Sequence, residues 1–167
     1  SAMTPAGGFT ELYETNVAAG SPDIGVYYKG GVAAGATSFS ATYTRGCCSD
    51  ADSHWGGVAV AIATTATSPV QSKSTNSGDA GAAAVTLDSA PTAGNMLIMA
   101  LGDRSAVIGD FELLNAGWTL IGSAHADWTG IADSVALYAR CVQQGDGTGP
   151  YGFAQGAQQV CSVSEWA

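Results

Sequence analysis

Apolar and polar residues alternate along this chain in short runs, seldom at the three-to-four-residue interval of a helix. In SVALYARCV (134–142), Val135, Leu137, Ala139 and Cys141 share one face, leaving Tyr138 and Arg140 on the other. In GVAVAIAT (57–64), Val58, Val60 and Ile62 alternate with alanine and glycine. A period of two marks a strand, whose side chains project to opposite faces in turn. NMLIMAL (95–101) is instead an unbroken apolar run, which fits a strand covered on both faces. Further strands are expected at FTELYE (9–14), IGVYYKG (24–30), SFSATYT (38–44), AVTLD (84–88), WTLIGSA (118–124) and YGFAQ (151–155). Only FELL (111–114) offers a helical turn.

Turn chemistry separates these runs at AGSPD (19–23), DADS (50–53), APTAG (90–94) and GDGTGP (145–150). Connections this short leave no room for crossover helices, so the strands are expected to pair antiparallel. The pattern predicts an all-β fold, an antiparallel and jelly-roll-like β-sandwich. The polar stretch that begins SPVQSKSTNSGDAG (68–81) reads as a linker.

The chain also repeats itself. Phe9 of GFTEL aligns with Trp118 of GWTLI at an offset of 109 residues. Tyr27 and Lys29 align with Tyr138 and Arg140 at 111, and Val32 and Gly35 with Val142 and Gly145 at 110. Tyr43 matches Phe153 at 110, and Trp55 matches Trp166 at 111. An ordered set of aromatic, basic and glycine matches is what a duplication leaves behind. It divides the chain into a first copy at 1–67 lacking its leading strands, a linker at 68–83, and a second copy at 84–167 lacking its final strand. One combined sandwich over 1–167 is the other arrangement. Strands without neighbours leave backbone groups unpaired. Folding both copies together, sharing strands between subunits, or placement in a longer tandem array would each satisfy them. SAMTP (1–5) occupies the place before GFT that DFELLNA (110–116) holds before GWT, so it reads as natural chain rather than a cloning scar.

Composition narrows the classes. Of 167 residues, 46% are hydrophobic and 11% charged, which is not the make-up of a disordered chain. No apolar run reaches the length of a membrane-spanning helix. The net charge is −9, and the cations are Lys29, Arg45, Lys73, Arg104 and Arg140 alone, so nucleic acid is excluded as a partner. Four cysteines, Cys47, Cys48, Cys141 and Cys161, form no C-x-x-C pair and read better as two disulfides than as a zinc site. The pairing stays open, with Cys47 and Cys48 expected to bond at a distance. Disulfides point to an extracellular or virion-surface setting.

The succession VTLDSAPTAGNMLIMALG (85–102), GWTLI (117–121), VALYARCVQQGDG (135–147), then an aromatic strand and a tryptophan, has a family likeness. It resembles the β-sandwich modules of phage virion proteins and bacterial secreted surface proteins, with their P-T-x-G-N, G-W-T and Y-Y-[KR] motifs. The resemblance implies a sandwich used as a building block or attachment module. It brings no catalytic residues. The four cysteines and the half-copy frame depart from it.

Hydrolytic chemistry needs a nucleophile with a base, or two placed carboxylates. His54 and His125 are the only imidazoles; the counterpart of His54 is Glu165, and His125 has none, so both read as loop residues. No G-x-S-x-G, H-E-x-x-H or P-loop pattern occurs. Asp50 and Asp52 offer hard oxygens to calcium within an incomplete loop pattern, which reads as a solvated turn. No metal or cofactor is expected. Trp128, Tyr27 and Tyr138 are the candidates for stacking on a sugar. Phe9, Trp118, Trp55 and Trp166 recur in both copies and are assigned to the core or an interface. The sequence therefore points to a non-enzymatic structural subunit or module of an extracellular or virion-surface assembly, such as a capsid decoration, fibre or filament. Its expected partner is itself, through β edges or apolar patches, or a carrier shell. A carbohydrate-binding adhesion module on a surface glycan is the alternative.

Overall fold

In a computed structural model, the strand patterning of the sequence becomes a set of antiparallel ladders. The structure describes residues 2–5, 10–15, 24–29, 41–44, 68–76, 82–103, 111–128, 131–154 and 160–167, and none of these is helical. In the first part of the chain, β1 is Ala2–Pro5, β2 Thr10–Thr15, β3 Ile24–Tyr28 and β4 Ala41–Thr44. Then follow β5 Gln71–Asn76, β6 Ala83–Val85, β7 Met96–Asp103, β8 Thr119–Trp128, β9 Ile131–Cys141, β10 Tyr151–Phe153 and β11 Val160–Trp166. The largest sheet runs in the order β5-β11-β7-β9-β8. Three two-stranded sheets, β1-β4, β2-β3 and β6-β10, accompany it, and every pairing is antiparallel.

The apolar run of NMLIMAL becomes β7, the central strand of that sheet, as its two-sided hydrophobicity predicts. Leu97, Met99 and Leu101 are fully buried on one face. Direct pairing puts Val163 and Cys161 of β11 and Ala136 and Tyr138 of β9 on that same face. Ala83, Val85, Tyr151 and Phe153 of the β6-β10 pair join the same hydrophobic cluster, with Phe111 edge-on to Phe153 at 5.1 Å. Gly152 makes this close approach possible: a Cβ there would stand 2.0 Å from the Ala83 carbonyl oxygen. The opposite face carries Ala100, Ser162, Ser164 and Trp166, which are also buried.

The two longest-separated hairpins have the same ladder. In β2-β3, Thr10 pairs with Tyr28 and Glu11 with Tyr27; a register shift between Glu11 and Tyr13 follows, and Tyr13 pairs with Val26. In β8-β9, Thr119 pairs with Ala139 and Leu120 with Tyr138; the shift lies between Leu120 and Gly122, and Gly122 pairs with Leu137. Each residue of the first ladder maps on the second at the offsets of 109 and 111 that the sequence alone supplied. The bulge maps as well. At the offset of 110 that sets Tyr43 against Phe153, Met3 falls on Leu113, and both pairs are antiparallel partners: Met3 with Tyr43 in β1-β4, and Leu113 with Phe153 in an isolated bridge.

Several expectations change here. Tyr138 points into the core with Ala136, whereas Val135, Leu137 and Ala139 lie half-buried on the other face. Alternation fixes which residues share a face but not which face looks inward, and the tyrosine ring fills the core. The stretch 68–83 does more than link: it holds β5, which extends the main sheet beside β11. FELL forms no helical turn; Leu113 instead makes an isolated antiparallel bridge to Phe153. GVAVAIAT lies outside the described residues.

Candidate functional site

Gly117 opens the G-W-T strand at φ +87°, a left-handed conformation that suits glycine. The chain thereby turns Trp118 towards Tyr151, the rings meeting edge-on with centroids 6.0 Å apart. Arg140 lies alongside, its Nε 3.6 Å from where a Gly117 Cβ would be. Its guanidinium pairs with the Asp146 carboxylate, and both side chains are largely buried. Asp146 also accepts the Gln143 N–H at 2.8 Å, which shapes the turn after β9. Tyr151 closes the cluster by donating its hydroxyl to the Gly147 carbonyl. Burial, then the Asp146 charge, push the Tyr151 phenol up, against an opposing pull from Arg140. Every motif side chain in this cluster is engaged by another. At the position 110 residues before Asp146, the chain has Ala36.

The P-T-x-G-N motif serves a second cluster. Asn95 N–H donates to the Thr92 carbonyl at 3.0 Å, with Gly94 at φ +92° between them. This turn aims the Thr92 N–H and the Asn95 amide at one Glu165 oxygen, at 2.8 and 2.7 Å. Gln71 Nε2 of β5 donates to the other oxygen at 2.6 Å. Glu165 is 1% exposed. Burial pushes its carboxyl up, and the hydrogen bonds from Gln71, Thr92 and Asn95 outweigh that and hold it below the ordinary glutamate value. Sequence reasoning missed Glu165 and Gln71. Their only sequence signal was the P-T-x-G-N motif itself, whose donors require an acceptor.

A third group brings a serine, a histidine and an aspartate together. Asp103, Ser134 and His125 occupy directly paired positions on β7, β9 and β8, so their side chains project side by side. His125 Nδ1 lies 2.8 Å from Ser134 Oγ. Here the serine sits between the other two, and it is buried at 4% exposure. His125 is therefore a strand residue, not the loop residue that its sequence surroundings imply.

Of the sugar-stacking candidates, Tyr138 is buried, with its phenol pushed up by desolvation, and offers no ring face. Tyr27 is half-buried in β3. Trp128 ends β8 at the hairpin, paired with Ile131. Trp118 is partly buried against the core cluster, and Trp166 is buried on the opposite face of the main sheet, donating Nε1–H to Ser164 Oγ at 2.8 Å. Cys141 and Cys161 are both free thiols, so the expected disulfides are not formed at the two described cysteines. They cannot bond to each other, because they face Met96 and Leu101 at opposite ends of β7. Five residues of strand separate those positions by about 17 Å, against the ~7 Å that a disulfide spans. Cys47, Cys48, Asp50, Asp52, His54, Trp55 and Phe9 lie outside the described residues.

Among the described residues, β8 is the outermost strand of the main sheet on the side away from β5. Ten residues long, it carries no lysine, arginine or proline, the usual guards of a strand edge. Thr119, Leu120, Ser123 and His125 are exposed, Leu120 at 45%. Among the described residues no three His, Cys, Asp or Glu side chains converge as a metal site. No protein-family model, curated protein or solved structure matches the chain.

Proposed function

We propose that this protein is a non-enzymatic structural module of an extracellular or virion-surface assembly, a β-sandwich built from two related copies that self-associates through its strand edges. The observation that carries the reading is β8: among the described residues, a long outermost strand without lysine or proline, its Leu120 side chain in the open. A strand of this kind pairs readily with another chain. The two-copy reading is supported by the shared register and shared bulge of the β2-β3 and β8-β9 hairpins. The absence of catalytic work fits the motif residues, since Trp118, Arg140, Asp146 and Glu165 each hold a neighbour in place. Electron microscopy of the purified protein tests the proposal: fibres, rings or decorated shells support it, and dispersed single copies oppose it.

A glycan-binding role is the second reading, favoured by Trp128 at the end of the β8-β9 hairpin. Titration of an oligosaccharide library against tryptophan fluorescence separates the two. A saturable response lost in Trp128→Ala supports glycan binding.

A further inference from the structure

The five strands of the main sheet are not held alike. In β11 every residue from Val160 to Trp166 is buried. The adjoining β5 reads QSKSTN, and none of its six residues is buried or belongs to the hydrophobic cluster. Its main-chain attachment is the ladder to β11, from Gln71 opposite Glu165 to Asn76 opposite Val160, begun by a Val70 N–H to Glu165 carbonyl bond of 2.7 Å, and it also lies against β6 and β2. Side-chain contacts reinforce it. Gln71 bridges the Glu165 carboxylate and the Ser89 backbone, and Lys73 meets Asp88 at 3.0 Å. The ladder and these polar groups recognise a β5 strand whichever copy of the chain supplies it. Six residues, 77–82, separate β5 from β6 in the sequence, and a short connection favours exchange of an element between copies.

Resting on the self-association proposed above, we infer that β5 is an exchangeable strand: the β11 edge of one copy takes β5 of a second copy in the same register, with Gln71 and Lys73 meeting the second chain's equivalents of their own partners. The residues N-terminal to β5 travel with it, so exchange links two chains reciprocally. Gln71 is a positioning residue in this contact and sets how readily the strand lets go.

The register provides its own reporter. Thr75 stands directly opposite the free thiol of Cys161. In Thr75→Cys, oxidation should join position 75 to Cys161, and the linked peptides show by mass whether one chain or two contributed. Equal amounts of nitrogen-14 and nitrogen-15 protein are mixed, incubated at neutral pH, oxidised and digested. Mixed-isotope links between position 75 and Cys161 are expected, and Gln71→Ala is expected to speed their appearance severalfold without altering the circular dichroism. Links confined to a single isotope in both proteins, with β5 amides as protected as those of β7, overturn the inference. A Leu120→Lys variant keeps the two proposals apart. Loss of assemblies with mixed links retained assigns assembly to β8 and leaves exchange standing, whereas assemblies retained without mixed links refute exchange alone.

Discussion

Gln71 Nε2 donates to Glu165 Oε2 at 2.6 Å across the pairing of β5 with β11. The same carboxylate receives the Thr92 N–H and the Asn95 amide. One buried anion thus ties together an edge strand, a turn and the most buried strand of the main sheet. Removing the carboxylate leaves three donors facing a void, which costs about 3 kcal/mol. Glu165→Ala is expected to lower the urea midpoint accordingly, and Glu165→Gln less.

The same group sets an acid limit. A carboxyl held below its unfolded value contributes stability that is present above the unfolded pKa and lost as pH falls through the folded one. For Glu165, whose ordinary value is 4.5, stability is expected to be flat near neutrality and to decline below that pH. Glu165→Gln should flatten the decline. Urea titrations across the acid range measure it.

Arg140 and Asp146 are 14% and 16% exposed, so each needs the other. Breaking such a pair from one side costs about 3 kcal/mol, while replacing both with apolar residues is far milder. Arg140→Met and Asp146→Leu are each expected to destabilise strongly, and the double variant less than their sum. A double-mutant cycle by thermal or urea unfolding reads the coupling.

At Gly152 the Cβ of an alanine would fall 2.0 Å from the Ala83 carbonyl oxygen. Because that neighbour is backbone, β6 and β10 must part. Gly152→Ala is expected to cost about 3 kcal/mol or more, seen as a lowered thermal midpoint with loss of near-ultraviolet tryptophan signal.

Thiol labelling separates the two described cysteines. Cys141 is exposed, and Cys161 is buried with its thiol pushed up to about 12. A maleimide reagent is expected to modify Cys141 in minutes and Cys161 only in denaturant, by peptide mass. Equal labelling of both in the native protein would contradict their placement.

The elements that were legible in the sequence have apolar patterns. NMLIMAL, with its two-sided run, falls in β7, and the Phe9–Trp118 and Tyr27–Tyr138 alignments anticipate the register of two hairpins. Strand β11 was missed although it is wholly buried, because Ser162, Ser164 and Glu165 occupy buried positions. Ser164 Oγ is satisfied by the Trp166 indole and Glu165 by three donors, and hydropathy does not register such satisfaction. Strand β5 was missed for the opposite reason, an edge strand with no buried side chain at all. The orientation of Tyr138 depends on which sheet covers which face, and only the packing of β6 and β10 decides that.

The central claim is self-association through the β8 edge, and light scattering tests it most directly. Wild-type protein is measured over a range of concentrations beside Leu120→Lys and Ser123→Lys, which place a guarding charge at exposed positions of that strand. Both substitutions should change stability by less than about 0.5 kcal/mol. The account predicts multimers for the wild type and monomers for both variants with unchanged circular dichroism. A wild type that stays monomeric at every concentration, or multimers indifferent to both lysines, would contradict it.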